Sequence, residues 1–167
     1  MRTSFVVISI IFLAFLQWVF INSSFVFLKR VDLLLLGALF FALNNRVSFA
    51  ISSGLAIGFL KDIFCANDIF FNAAFFGLAS WYIASLSSKL YKDSWVAQFI
   101  LSLIASFLAP LILWGMLGVV SKAPPFFESL HFVIVPSSLV TAFFAPFFFL
   151  AMKAMNSVHG LRIKARV

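Results

Sequence analysis

The chain is organised as long apolar runs separated by short polar breaks. The runs cover residues 4–21, 33–43, 47–60, 70–87, 95–120 and 131–152. Most of them approach the roughly 20 residues that an α-helix needs to cross about 30 Å of hydrocarbon. The regular alternation of apolar and polar positions that marks a membrane β-barrel is absent from the sequence. The pattern therefore predicts an all-α, polytopic membrane helix bundle of about six transmembrane helices, built as a single integral membrane domain over residues 1–167.

The second run is too short to cross a bilayer by itself. Residues 33–43 would form about 16 Å of helix. A spanning helix must begin near Phe25, so we predict a span over 25–43 with three charged residues in its outer third. The alternative is one long helix over 33–60, which gives five spans and places Arg46 near mid-bilayer. A central arginine costs about 2.5–3.5 kcal/mol on insertion scales, which favours six spans.

Charge predicts the orientation. The chain is 64% hydrophobic and 10% charged, with a net charge of +7. The sequence has no basic face interleaved with stackable aromatic residues, so the positive charge does not indicate nucleic-acid binding. Basic residues accumulate on the cytoplasmic side of membrane proteins. With six spans both termini are cytoplasmic, and the inside holds Arg2, Arg46, Lys89, Lys92, Lys153, Arg162, Lys164 and Arg166, against Lys29, Arg30, Lys61 and Lys122 outside. Five spans give a similar bias, so charge alone leaves both open. Residues 153–167 form a predicted basic cytoplasmic tail that faces water or anionic lipid heads.

The third run carries small residues at four-residue spacing and ends in a carboxylate. Ala50, Gly54, Gly58 and Asp62 lie on one helical face. Small residues let a partner helix approach closely. The fourth run offers a matching face that includes Gly77, and also Ala73, Ser80 and Ala84. We therefore predict that the third and fourth helices pack as a tight hairpin.

Asp62 and Asn72 stand at the two ends of the loop that joins this hairpin. A carboxylate at a helix C-terminus is unfavourable by the helix dipole, so a partner should compensate it. Lys61 and Asn72 are the nearby candidates. A hydrogen-bonded lock between Asp62 and Asn72 is the favoured hypothesis; a solvated helix end and a ligand site are the alternatives.

Two further polar groups allow more than one interpretation. Asp32 can cap the second helix while Arg30 snorkels to the surface, or the two can form an ion pair at the rim of a partner-binding groove. The fifth and sixth runs carry Gln98, Ser102 and Ser106, then Ser137, Ser138 and Thr141. The polar stripe of the fifth run should face protein rather than lipid, and the hydroxyls of the sixth run can bond to carbonyls of their own helix that its prolines leave free. For both groups we favour packing over a substrate path.

Several classes of chemistry are disfavoured by the sequence. There is one cysteine, Cys65, and the two histidines, His131 and His159, are far apart. No metal-ligand spacing, phosphate-binding loop or nucleophile elbow occurs. Intramembrane charges mark most pumps and proton relays, whereas here the charges lie near predicted helix ends. We expect neither a cofactor nor a metal, and no enzymatic activity; a lipid-modifying enzyme would have Asp62 as its one fair candidate.

Three short motifs follow one another along the chain: Arg30-Val-Asp32-Leu-Leu-Leu-Leu36 opening the second span, Gly54-x3-Gly58-Phe-Leu-Lys-Asp62, and Phe71-Asn72-Ala73. In this order they resemble the rod shape-determining protein MreD family. The family pattern is similar to Arg-Pro-Asp-Leu-Leu, Gly-x3-Gly-x3-Asp and Gly-x-Asn-Ala, so Val31 and Phe70 depart from it. The resemblance covers nearly the whole chain in length and in the order of its spans.

The resemblance implies a non-enzymatic component of the bacterial cell-wall elongation complex in the inner membrane. Proteins of this kind bind the transmembrane helix of MreC, and through it reach the MreB cytoskeleton and the wall synthases, RodA and a class B penicillin-binding protein. Their fold looks like the substrate-binding component of energy-coupling-factor transporters. That likeness supplies an alternative function, a component that binds a vitamin-type small molecule for a membrane transporter.

Overall fold

The computed structural model describes residues 3–65, 71–87, 94–119 and 130–164, and every regular element in these ranges is helical. The elements are α1 (Thr3–Asn22), α2 (Val26–Lys29), α3 (Leu33–Asn44), α4 (Val47–Cys65), α5 (Phe71–Leu86), α6 (Trp95–Val119), and a π-helical turn (Leu130–Ile134) that continues into α7 (Val135–Lys164). The predicted loop over 89–93 lies outside the described residues, and so do residues 66–69 of the predicted loop over 61–69 and residues 121–129 of the one over 121–130.

The centre of the fold is the short helix α3. Each of its residues from Leu33 to Leu43 is buried, and α1, α4, α5, α6 and α7 all pack against it. Phe40 and Phe41 supply its largest fully buried side chains, and Phe40 contacts Phe149 of α7 with 5.8 Å between ring centroids. A helix that is apolar on every side is stable where protein or lipid surrounds it, and here protein surrounds α3.

The surrounding helices expose large apolar side chains to the outside. Ile11, Leu78, Val96 and Phe143 are each more than 60% exposed. An apolar surface of this extent is costly in water and marks contact with lipid or protein. Within the described residues, three helical stretches are long and apolar enough to cross a membrane, Val47–Phe64, Trp95–Gly115 and Leu130–Ser157, and three shorter ones are also apolar. Together these features indicate a membrane protein.

The helix boundaries differ from the predicted spans in three places. The segment 25–43 is divided, because α2 ends at Lys29 and α3 begins only at Leu33. The helix that includes 47–60 continues to Cys65, so Lys61 and Asp62 belong to α4. The segment 153–167, predicted as a cytoplasmic tail, is helical as far as Lys164 and continues α7.

The single long helix over 33–60 that five spans require is not present. Helix α3 ends at Asn44, and Asn45 takes an extended conformation, with φ −123° and ψ 170°. The side-chain amides of Asn44 and Asn45 donate to the carbonyls of Phe40 and Phe41, which lie in the last turn of α3. The chain therefore turns at Asn45 and starts a new helix at Val47.

Candidate functional site

The link between α2 and α3 is held by side chains from two other helices. Gln17 of α1 donates from Nε2 to the Val31 carbonyl (3.3 Å) and accepts the Leu33 N–H at Oε1 (2.8 Å). Thr141 of α7 accepts the Asp32 N–H at Oγ1 (3.2 Å) and donates to the Arg30 carbonyl (3.3 Å). Non-helical backbone inside a bundle needs such partners, because a buried N–H or carbonyl without one is costly.

Asp32 begins α3 and pairs with a lysine from α4. Its Oδ1 accepts the Leu35 N–H at 2.9 Å, which is the N-cap interaction that satisfies one free donor of the first helical turn. Its Oδ2 accepts from Lys61 Nζ, and the same ammonium group lies 5.0 Å from the centre of the Phe76 ring. The capping role predicted for Asp32 is therefore present, whereas its charge partner is Lys61 rather than Arg30.

Asp62 caps a helix that is not its own. Its Oδ1 accepts from the backbone N–H of Asn72 (3.1 Å) and from Asn72 Nδ2 (2.8 Å), and its Oδ2 accepts the Ala73 N–H (2.9 Å). Those two backbone N–H groups lie in the first turn of α5, where helices have free donors and a positive dipole end. The compensation that Asp62 needs thus comes from α5, and Asp62 is only 3% exposed.

The glycines of α4 let it touch the backbone of α5. A Cβ added to Gly58 would collide with the Asn72 carbonyl oxygen and lie 2.6 Å from Ala73 Cα. A Cβ added to Gly54 would collide with Ser80 Oγ and lie 2.6 Å from the Phe76 carbonyl oxygen. Such distances leave no room for a side chain, and the α4–α5 pair is the most extensive helix contact in the fold.

Ala50 of α4 and Gly77 of α5, the other two small residues of this contact, are less important for the close approach of the two helices. Ala50 is fully buried nearer the start of α4. Gly77 of α5 faces Leu55, whose Cδ2 would lie 2.8 Å from an added Cβ. That atom is the end of a flexible side chain, so the approach at Gly77 is less strictly required than at Gly54 or Gly58.

The three motif segments therefore form one connected unit at one end of the bundle. The Asp32–Lys61 pair joins the first segment to the second, and the Asp62 hydrogen bonds join the second to the third. Arg30 does not take part in either pair within the described residues. It instead lines the cavity that lies beside this unit.

This cavity has a volume of about 450 Å³. Its wall includes residues near the C-terminal ends of α1, α4 and α6, namely Ile21, Lys61 and Leu113. It also includes residues near the N-terminal ends of α3, α5 and α7, namely Leu34, Asn72 and Phe132. Those six helix ends consequently meet at one end of the molecule, and successive long helices run in alternating directions.

A second polar contact joins α6 to α7. Pro110 has no N–H, so the carbonyl of Ser106, four residues earlier, lacks its helical donor. Ser138 Oγ lies 3.0 Å from that carbonyl oxygen and 2.7 Å from the Ile134 carbonyl oxygen, and its single proton serves both. Gln98, Ser102 and Ser106 are all buried, as the stripe predicted.

The sequence did not reveal the roles of Gln17 and Thr141. Thr141 was expected to bond to carbonyls of its own helix, yet it reaches a backbone segment 109 and 111 residues away. The sequence signal for Gln17 is its polar amide within the mostly apolar run 4–21. A buried amide must find hydrogen-bond partners.

The described residues hold few groups suited to catalysis. Asp32 and Asp62 are the two carboxylates in the described ranges, and both are engaged in capping or pairing. No three His, Cys, Asp or Glu side chains in these ranges gather closely enough to hold a metal ion. No protein-family model, no curated protein and no solved structure matches the chain.

Proposed function

We propose that the chain is a non-enzymatic membrane component of the bacterial cell-shape and cell-wall elongation complex, similar to MreD. In this role it binds the transmembrane helix of MreC and helps to link the MreB cytoskeleton to the wall synthases. The described helices present apolar surfaces to which a partner helix can bind. Both carboxylates of the described residues hold helices of this chain together.

The observation that carries this proposal is the connection among the three motif segments. The residues on which the resemblance to the MreD family depends are far apart in sequence, yet Asp32–Lys61 and Asp62–Asn72 join them into one unit. Motifs that build a rigid helix pair suit a protein whose task is to present a surface.

The membrane arrangement that we propose has six passes through the inner membrane and both termini in the cytoplasm. Helix α3 has 12 residues, about 18 Å, but it need not match the hydrocarbon thickness because protein encloses it on all sides. Aromatic residues that suit membrane interfaces stand near both ends of the bundle: Trp18 and Trp114 at the cavity end, Tyr82 and Trp95 at the other.

The lateral face of the α4–α5 hairpin is the proposed seat for the MreC helix. Leu78 and Trp81 of α5 are 67% and 51% exposed, and Phe59 of α4 is 47% exposed. The close approach at Gly54 and Gly58 fixes the position of these side chains relative to one another. A rigid apolar face loses little conformational entropy when a partner helix docks.

Co-purification with MreC tests this function. Gly54→Leu and Gly58→Leu should abolish capture by tagged MreC while the protein still enters the membrane fraction, because a side chain at either position forces α4 and α5 apart. Gly115→Leu is the matched control, since an added Cβ there meets nothing within 4 Å. Leu78→Ala should weaken capture without changing the unfolding temperature. Unchanged capture in Gly58→Leu would contradict the proposal.

The cavity favours one alternative, a binding component for a vitamin-type small molecule within a membrane transporter. A volume of about 450 Å³ falls in the range of small-molecule sites. Mass spectrometry of the purified protein distinguishes the two functions. The alternative predicts a tightly held, water-soluble organic molecule at one equivalent per chain, whereas the scaffold function predicts none.

A further inference from the structure

Among the described residues, the charges that line the cavity do not balance. Lys29, Arg30 and Lys61 contribute three positive charges and Asp32 contributes one negative charge, which leaves an excess of two. Lys61 already pairs with Asp32. Asp62, the other carboxylate of the described residues, is occupied by Asn72 and Ala73. In the described part of the chain Lys29 and Arg30 therefore have no carboxylate partner, and an anion would complement them.

Neutral hydrogen-bonding groups accompany this positive charge. Gln17, Ser137 and Thr141 line the same cavity. Gln17 and Thr141 are committed to the link between α2 and α3, and the Ser137 hydroxyl donates to its own helix, to the carbonyls of Val133 and Ile134. Recognition of an anion would consequently depend on the two cationic side chains, with the neutral groups shaping the wall.

Apart from Asn72 and Ser106, the rest of the wall is apolar, and it reaches the outer surface of the bundle. Ile21, Phe64, Phe132 and Val133 line the cavity and are also between 37% and 71% exposed. In a membrane protein such side chains face lipid acyl chains. A molecule that enters between them meets hydrocarbon first and positive charge further along, so an amphiphile fits this cavity better than a water-soluble anion.

We propose that the cavity binds the phosphate headgroup of an anionic membrane lipid. The phosphate lies against Arg30 and Lys29, and the first part of an acyl chain runs along the apolar wall toward the bilayer. Arginine suits this role because its planar guanidinium can donate two parallel hydrogen bonds to one phosphate. The inference rests on the membrane placement proposed above and is independent of whether MreC binds.

Native mass spectrometry of the full chain in nonionic detergent tests this site. The probe is dioleoyl phosphatidylglycerol, with dioleoyl phosphatidylcholine as the zwitterionic comparison and glycerol 3-phosphate as the headgroup without chains. We expect one tightly bound phosphatidylglycerol per chain and at least about tenfold weaker binding of both comparisons, because phosphatidylcholine carries no net negative charge and glycerol 3-phosphate has no acyl chains. Equal binding of glycerol 3-phosphate would overturn the lipid source, and equal binding of phosphatidylcholine would overturn the charge recognition.

Variants locate the binding in the cavity. Arg30→Gln should weaken phosphatidylglycerol binding about tenfold, because it removes the charge and leaves the backbone carbonyl that Thr141 uses. Ser137→Phe should block binding by filling the space, and it breaks only hydrogen bonds within its own helix. Arg46→Gln, just beyond the opposite end of α3 from Arg30, is the matched control and should bind normally. If Arg30→Gln and Ser137→Phe bind like Arg46→Gln, the lipid occupies another surface and the proposal is wrong.

Discussion

At the scale of single residues, one carboxylate joins two helices. Asp62 accepts three hydrogen bonds next to the positive end of α5: the two from Asn72 are buried and the one from Ala73 is partly buried. Hydrogen bonds to a charged acceptor contribute more than neutral ones, and a buried donor that loses its partner keeps the full cost of desolvation. Asp62 therefore stabilises the α4–α5 hairpin by joining the end of α4 to the first turn of α5.

Asp62→Asn should lower the free energy of unfolding by about 1.5–3 kcal/mol, because an amide has one acceptor oxygen and turns its NH2 group toward donors. Thermal unfolding in detergent measures this change. Asn22→Ala is the matched control: Asn22 donates to the Trp18 carbonyl at an exposed helix end, and its loss should cost less than about 0.5 kcal/mol. Equal unfolding temperatures for Asp62→Asn and the native chain would show that the lock contributes nothing.

The sequence predicted contacts of residues whose spacing follows the helical period. Gly54, Gly58 and Asp62 repeat every four positions, and Asn72 lies just across one short loop, so the hairpin and its closing contact followed from local geometry. Gln17 and Thr141 bind a backbone segment that is distant in sequence, and no local pattern records such a contact. Only the folded bundle brings their side chains to the link before α3.

At the scale of elements, side chains of neighbouring helices supply the hydrogen bonds that the backbone lacks at a proline or before a short helix. Pro110 removes the helical donor of the Ser106 carbonyl in α6, and Ser138 of α7 donates in its place. The link before α3 is satisfied in the same manner by α1 and α7. Helix α3 begins later than the predicted start of the second span because partners outside the segment satisfy the backbone before Leu33.

A double-mutant cycle tests the compensation between Pro110 and Ser138. Ser138→Ala should cost about 0.6–1.7 kcal/mol in the native background, the range measured for hydrogen bonds between membrane helices. The same change should cost less in the Pro110→Ala background, because alanine restores the backbone N–H that the Ser106 carbonyl lacks. Ser157→Ala, which removes an exposed local hydrogen bond, should have little effect in either background. Equal costs of Ser138→Ala in both backgrounds would contradict this explanation.

At the scale of the whole molecule, a short buried helix organises a bundle whose outside is apolar. Composition and run lengths predicted the helical membrane class, because burial in lipid demands long apolar helices. They did not predict that the shortest run would lie at the centre of the bundle. A run that is too short to cross the bilayer gives no indication of which helices enclose it. The cavity likewise depends on six helix ends meeting, which no single run specifies.

The side of the membrane reached by each end of α3 is the most direct test of the six-pass arrangement. In a Cys65→Ser background, single cysteines replace Lys29 and Arg46, which are both exposed and flank α3. A membrane-impermeant maleimide should label Lys29→Cys from outside intact cells and Arg46→Cys only in inverted vesicles. Labelling of both from one side, or an Arg46→Cys that reacts from neither side, would show that α3 does not carry the chain across the bilayer.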